Sequence, residues 1–141
     1  MANEERAQRI VNKMYDNDPF SQWLGIERLK TEPGHCVLRM AVRREMLNGF
    51  AIAHGGITFS LADSAFAFAS NSRGRHAVSI DTSISHMVSL KEGDVITATA
   101  IEEQLSHRIG HYRVEVRNEA GEMVALFRGI VYRKSQEWEV G

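Results

Sequence analysis

Residues 54–71 read His54-Gly-Gly-Ile-Thr-Phe-Ser-Leu-Ala-Asp-Ser-Ala-Phe-Ala-Phe-Ala-Ser-Asn71. After His54 this stretch contains one ionisable residue, Asp63, and no Lys, Arg or Glu. Its apolar residues (Ile57, Phe59, Leu61, Ala62, Ala65 to Ala69) leave no charged face, and a helix that is apolar nearly all round is a buried one. It falls short of the ~20 apolar residues that cross a bilayer, and it carries an acid in its middle. Protein must therefore wrap it.

The wrapping strands come later in the chain. Ala77 to Met87, Val95 to Ile101, Tyr112 to Arg117 and Met123 to Tyr132 are rich in Val, Ile, Thr and Tyr and read as strands. Turn-forming spacers separate them, and Asn118-Glu-Ala-Gly121 between two alternating runs predicts a hairpin. Before the central stretch, Ile10, Val11 and Met14 predict an amphipathic helix from Ala2 that ends near Asn17-Asp18-Pro19. Strand character sets in from Ile26, with Cys36, Leu38, Met40 and Val42 alternating against their neighbours, and a loop is expected at Leu47-Asn48-Gly49. Strands in runs with a segregated helix mean α+β with a mostly antiparallel sheet. One sheet curled around one helix buries that helix most simply, and residues 1–141 read as a single domain without repeats or linkers.

Composition narrows the function. The 141 residues carry 17 Lys and Arg against 18 Asp and Glu, so no basic stripe argues for nucleic acid. The single Cys cannot form an internal disulfide, which fits a reducing, cytoplasmic setting. The acidic start, Met1 to Arg6, is unlike a signal peptide, and no membrane span is expected. His107 and His111 stand four apart without a third ligand, so no metal site is expected, and no phosphate-cradling glycine motif is present. Cys36 falls on the alternating apolar set as an inert core thiol.

The chemistry concentrates where the central helix begins. The first N–H groups of a helix lack internal partners and carry partial positive charge, and the two glycines after His54 give a ligand access to them. That is an oxyanion site, or else a tight turn with His54 as polar cap. Asn48 can donate its NH2 group to the same carbonyl, or serve only as a turn residue. Asp63, an acid on an apolar helix, must be paired, hydrogen-bonded to a hydroxyl such as Ser60 or Ser64, or kept for chemistry. It lies eight residues past Gly55, about 10–12 Å along the axis. An acid and oxyanion donors serving one reaction must both come within ~3 Å of the reacting atoms. If both serve one reaction, they belong to two copies of the chain.

Leu47-Asn48-Gly49, His54-Gly55-Gly56 and Leu61-Ala62-Asp63-Ser64-Ala65, in this order and spacing, resemble the signature of hotdog-fold acyl-CoA thioesterases. The similarity is to their PaaI-type, phenylacetic acid-degradation group. It extends from Met14 to Asp18 through to Ala125-Leu126-Phe127-Arg128-Gly129. The resemblance implies a hotdog fold, a homodimer pairing into a homotetramer, and hydrolysis of aryl- or acyl-CoA thioesters with no cofactor. It assigns Asn48 to orienting the catalytic ensemble and the Gly55 N–H to polarising the thioester carbonyl. His54 would lie near the thioester sulfur or orient Asn48. Asp63 of the other subunit would be general base or nucleophile. Ser79 falls where a related branch holds a water. An aromatic acyl group would then sit beside Phe50, Phe59 or Phe66, each of which otherwise packs the core, and the Arg73-Gly74-Arg75-His76 loop either meets a CoA phosphate or is simply solvated. Two other readings are a hotdog hydratase or dehydratase, which pairs a His with an acid, and a non-catalytic acyl-CoA-binding protein, which would be expected to lack Asp63.

Overall fold

The computed structural model describes residues 2–141. Its element order is α1 (Ala2–Asp16), α2 (Pro19–Leu24), β1 (Glu27–Glu32), β2 (His35–Ala41), a 3-10 turn (Arg44–Met46), α3 (Gly55–Asn71), β3 (Arg75–His86), β4 (Val95–Leu105), β5 (Ile109–Asn118) and β6 (Met123–Glu137). The strands form one sheet in the order β1-β2-β4-β5-β6-β3, and every neighbouring pair is antiparallel. This is the expected hotdog arrangement, with the sheet curled around α3.

Residue size explains how closely helix and sheet approach. Leu61, Ala62, Ala65, Phe66, Phe68 and Ala69 of α3 are buried, and the facing strands offer small Ala98 and Ala100 beside Leu38 and Val114. Phe66 packs edge-on to Tyr112 at 5.8 Å and tilted to Phe127 at 5.4 Å. Each such buried large side chain contributes roughly 1.5–3 kcal/mol. A Cβ added at Gly129 of β6 would stand 2.6 Å from the Phe66 ring, so only glycine lets that ring lie against the strand. Cys36 is fully buried on β2, and burial pushes its thiol up to about 12.

Two readings of the chain change in detail. The first helix stops at Asp16, next to its expected end, but a separate short helix, α2, follows where no helix was expected. Asp18 caps α2 by accepting the Ser21 N–H at 3.0 Å, and Pro19 supplies a fixed φ in its first turn. Strands β4 and β6 continue past their apolar stretches to Leu105 and Glu137. The predicted hairpin at Asn118–Gly121 is present, closed by the Gly121 N–H to the Asn118 carbonyl at 3.0 Å with Gly121 at φ 84°.

Strand β3 reaches its place beyond β6 by crossing from β2 through α3, so its outer edge carries no neighbour among the described residues. Val78 and Ile80 on it are 42% and 57% exposed. No helix among the described residues is long and apolar enough to cross a membrane.

Candidate active site

The loop before α3 is closed by a bridge between Leu47 and Ala53 and by the Asn48 N–H to the Ile52 carbonyl at 2.8 Å. Inside it the Asn48 side-chain oxygen accepts the Phe50 N–H at 2.8 Å and the Ile52 N–H at 3.4 Å. The oxygen is thereby occupied, while the Asn48 NH2 group has no partner among the described hydrogen bonds. Helix α3 then begins without a side-chain cap, and the Gly55 N–H finds no acceptor among the described residues. Asn48 and Gly55 together line a cleft of about 290 Å³, with Thr58, His86 and the segment Met87–Leu90 as its other walls. Two unsatisfied donors on one cleft, one at the positive end of a 17-residue helix, make a place for a carbonyl oxygen that gains negative charge.

Asp63 lies elsewhere. It opens on a second cavity of about 210 Å³, lined also by Phe20, Phe59, Ser60 and Phe68. The hydroxyls that might have satisfied it are engaged: Ser60 donates to the Gly56 carbonyl at 2.6 Å, and Ser64 shares a 2.8 Å hydrogen bond with Ser21. Ser21 in turn donates to Asp18 at 2.6 Å. No described hydrogen bond ends on the Asp63 carboxylate. Burial raises its pKa, and the nearby Asp18 charge adds to the rise. A half-buried, unpaired acid with a raised pKa is the state expected of a group kept for proton transfer.

The other sequence candidates fall outside the cleft. The His54 backbone N–H is anchored to the Met46 carbonyl at 2.9 Å, but its exposed imidazole neither caps the helix nor lines either cavity. Ser79 is exposed on β3 at a bulge between Ser79 and Asp81 and lines neither cavity. Of the three phenylalanines, Phe66 is sealed in the core and Phe50 is 86% exposed, which leaves Phe59 beside Asp63. Arg73 is engaged by Glu102 at 2.9 Å and Arg75 by the His107 carbonyl, so that loop is held by the protein itself. One residue of the cleft went unread in the sequence: His86, whose alternation with the half-buried Ile84 places it on the helix-facing side of β3.

This fold and much of this sequence recur in known proteins. The thioesterase superfamily profile matches residues 50–125, the stretch from the Asn48 turn through α3 into β6. The acyl-coenzyme A thioesterase PaaI of Escherichia coli is 40% identical over 128 residues, which cover 91% of each chain. The solved structure of the E. coli PaaI protein from the phenylacetic acid degradation operon superposes with a TM-score of 0.92 at 38% identity, covering 95% of this chain and 97% of that one. A Streptococcus mutans protein solved bound to acetyl CoA gives a TM-score of 0.78 at 26% identity, covering 80% of this chain and 91% of that one. With an uncapped helix end, an unpaired acid two turns further on and these relatives, the chain belongs to the thioesterase superfamily.

Proposed function

We propose that this protein hydrolyses acyl-CoA thioesters, with aryl- and phenylacetyl-CoA as preferred substrates, at sites shared between two copies of the chain. The observation that carries this reading is the separation of the donors from the acid. Asn48 and Gly55 line one cleft, while Asp63, eight residues along the same helix, opens on another. A rise of 1.5 Å per residue sets them about 12 Å apart, too far to act on one carbonyl. A two-fold partner resolves this by bringing its own Asp63 to this chain's donors. The exposed edge of β3, with Val78 and Ile80, provides the surface for that pairing. A further pairing of dimers into a tetramer fits the same reading.

In such a site the thioester carbonyl accepts hydrogen bonds from the Asn48 NH2 group and the Gly55 N–H. Attack on its carbon, by water deprotonated at Asp63 of the partner subunit or by that carboxylate itself, moves an electron pair onto the oxygen, where both donors strengthen. Collapse expels the thiolate of CoA. The positive end of the facing helix favours the ionised carboxylate and opposes the desolvation that raises its pKa. Phe59, beside Asp63, supplies an apolar wall for an aromatic acyl group.

The test is release of free thiol from phenylacetyl-CoA. Asp63→Ala is expected to abolish it while the dimer survives, and Ile80→Lys to abolish it by separating the subunits. Asp63→Ala and Asn48→Ala chains, each inactive alone, should regain activity when co-expressed, because one intact site re-forms in each mixed dimer. Unchanged turnover by Asp63→Ala overturns the reading. Equal kcat/KM across a panel of acyl-CoAs removes the aryl preference and leaves the reaction class, while conversion of 3-hydroxyacyl-CoA seen at the enoyl absorbance returns the hydratase.

A further inference from the structure

The cleft at the start of α3 holds one ionisable side chain. Among its lining residues, Asn48, Thr58 and Ser89 are neutral, the rest apart from His86 are apolar or glycine, and no Asp, Glu, Lys or Arg contributes. His86 is the last residue of β3, opposite Ala125 in the register with β6. Its ring stands directly over Gly55: a Cβ placed on that glycine would lie 3.1 Å from Nε2, 3.4 Å from Cε1 and 3.7 Å from Cδ2. Nε2, one of the two ring nitrogens that can carry a proton, therefore faces the helix end whose N–H donates to the carbonyl oxygen. No described hydrogen bond or ion pair involves the His86 side chain, so its ring donates to no protein group.

We propose that His86 is a catalytic residue that protonates the departing sulfur. The inference rests on the thioesterase reading. In a thioester the sulfur is bonded to the same carbon as the carbonyl oxygen, so a carbonyl seated on Gly55 brings its sulfur to the neighbourhood of Nε2. When the tetrahedral adduct collapses, the oxygen lone pair re-forms the carbonyl double bond and the carbon–sulfur bond breaks with its electron pair going to sulfur. The proton on Nε2 of the imidazolium transfers to that sulfur, giving the neutral thiol and a neutral imidazole, which recovers a proton from solvent. Asp63 of the partner subunit works on the attacking oxygen, and His86 on the leaving atom. One acid and one base then flank the carbonyl from two different chains.

An alkyl thiol such as that of CoA is a poor leaving group without a proton, because an unperturbed aliphatic thiol has a pKa of roughly 8.5. An aryl thiolate departs far more readily without help. Leaving-group dependence therefore separates proton donation from a structural role. His86→Phe keeps the ring shape without a donor, and His86→Gln keeps a hydrogen bond without a transferable proton; the exposed position lets both fold. Phenylacetyl thioesters of CoA, pantetheine and thiophenol are the substrates, with kcat and KM measured separately. The expected result is a loss of about 10²-fold in kcat for both variants on the CoA and pantetheine esters, the size typical of a lost general acid. On the thiophenyl ester the deficit should be at least tenfold smaller, and KM should change little throughout. A deficit equal for all three esters, or confined to KM, or absent, overturns the assignment of His86 while parent turnover keeps the thioesterase reading. Failure of the parent protein to hydrolyse any of the three removes that reading instead.

Discussion

The Asn48 side-chain oxygen accepts the Phe50 N–H at 2.8 Å, and that one bond decides which end of the amide is left to donate. An Asn48→Asp chain retains the acceptor that holds the loop but loses the donor and sets a negative charge beside the developing oxyanion. Loss of one such donor costs about 10²–10³ in rate. The expected result is a fall in kcat of at least that size with the thermal unfolding midpoint nearly unchanged, checked by thiol release and calorimetry.

If Asp63 is the base of the proposed reaction, it is expected to set the acid limb of the pH profile. Its raised pKa comes from burial first and from the Asp18 charge second. Activity that needs the carboxylate ionised is lost as the pH falls through its pKa, which burial and the Asp18 charge push up and the facing helix end of the partner pulls down. Asp18→Asn keeps a capping oxygen for Ser21 and removes the charge, and the limb should move to lower pH. Stability takes the opposite sense. A raised acid favours the protonated fold, so its contribution is complete below the unfolded value and lost as the pH rises through the folded one. In an Ile80→Lys background, where no partner helix faces the carboxylate, Asp63→Asn should resist urea better than its parent at pH 7. The gap should close below about pH 4.

The two glycines of α3 are expected to respond differently to a methyl group. Alanine at Gly56 meets nothing within 4 Å, whereas alanine at Gly55 meets the His86 ring at 3.1 Å. Helix propensity alone stabilises either change by roughly 0.5–1 kcal/mol. Gly56→Ala should therefore gain stability and keep turnover within a few fold. Gly55→Ala displaces the His86 ring, and its kcat should fall well below that of Gly56→Ala although the backbone N–H remains. Paired steady-state kinetics on the two variants check this.

Packing under the helix gives a purely structural expectation. Phe66 is 1% exposed and boxed in by Tyr112 and Phe127, so it has nowhere to swing when Gly129 gains a Cβ 2.6 Å from its ring. Overpacking of this kind costs about 1–3 kcal/mol. Gly129→Ala should unfold at correspondingly lower urea, and trimming the ring in the double variant with Phe66→Leu should recover part of the loss.

Much of this architecture was legible because it is written in hydrophobic pattern. Residues 55–71 carry a single ionisable side chain, Asp63, and no charged face, and a sheet wrapped around the helix accommodates that most simply. The eight-residue offset between Gly55 and Asp63 was equally readable, since helical rise is fixed, and the two cavities lie apart as that spacing requires. Short or amphipathic pieces were harder. Six residues, Pro19–Leu24, are too few to show a period, and the solvent-exposed ends of β4 and β6 lack the apolar alternation that marks a strand. His86 was missed because it comes after Thr82-Ser83-Ile84-Ser85, where one isoleucine is all that betrays which side faces inward. His54 was named from its place before the two glycines and from the family resemblance, and in the single chain its imidazole is exposed and lines neither cavity.

Cys36 gives the chemistry a quiet safeguard. A catalyst that liberates a reactive sulfhydryl with every turnover risks mixed disulfides with its own product, and an accessible cysteine would collect them under oxidising stress. Here the sole sulfur of that kind is walled in beneath the helix and held as the neutral, unreactive form. The released CoA thus finds no accessible cysteine on the molecule that released it, and peroxide has no exposed cysteine to convert into an inactivating lesion.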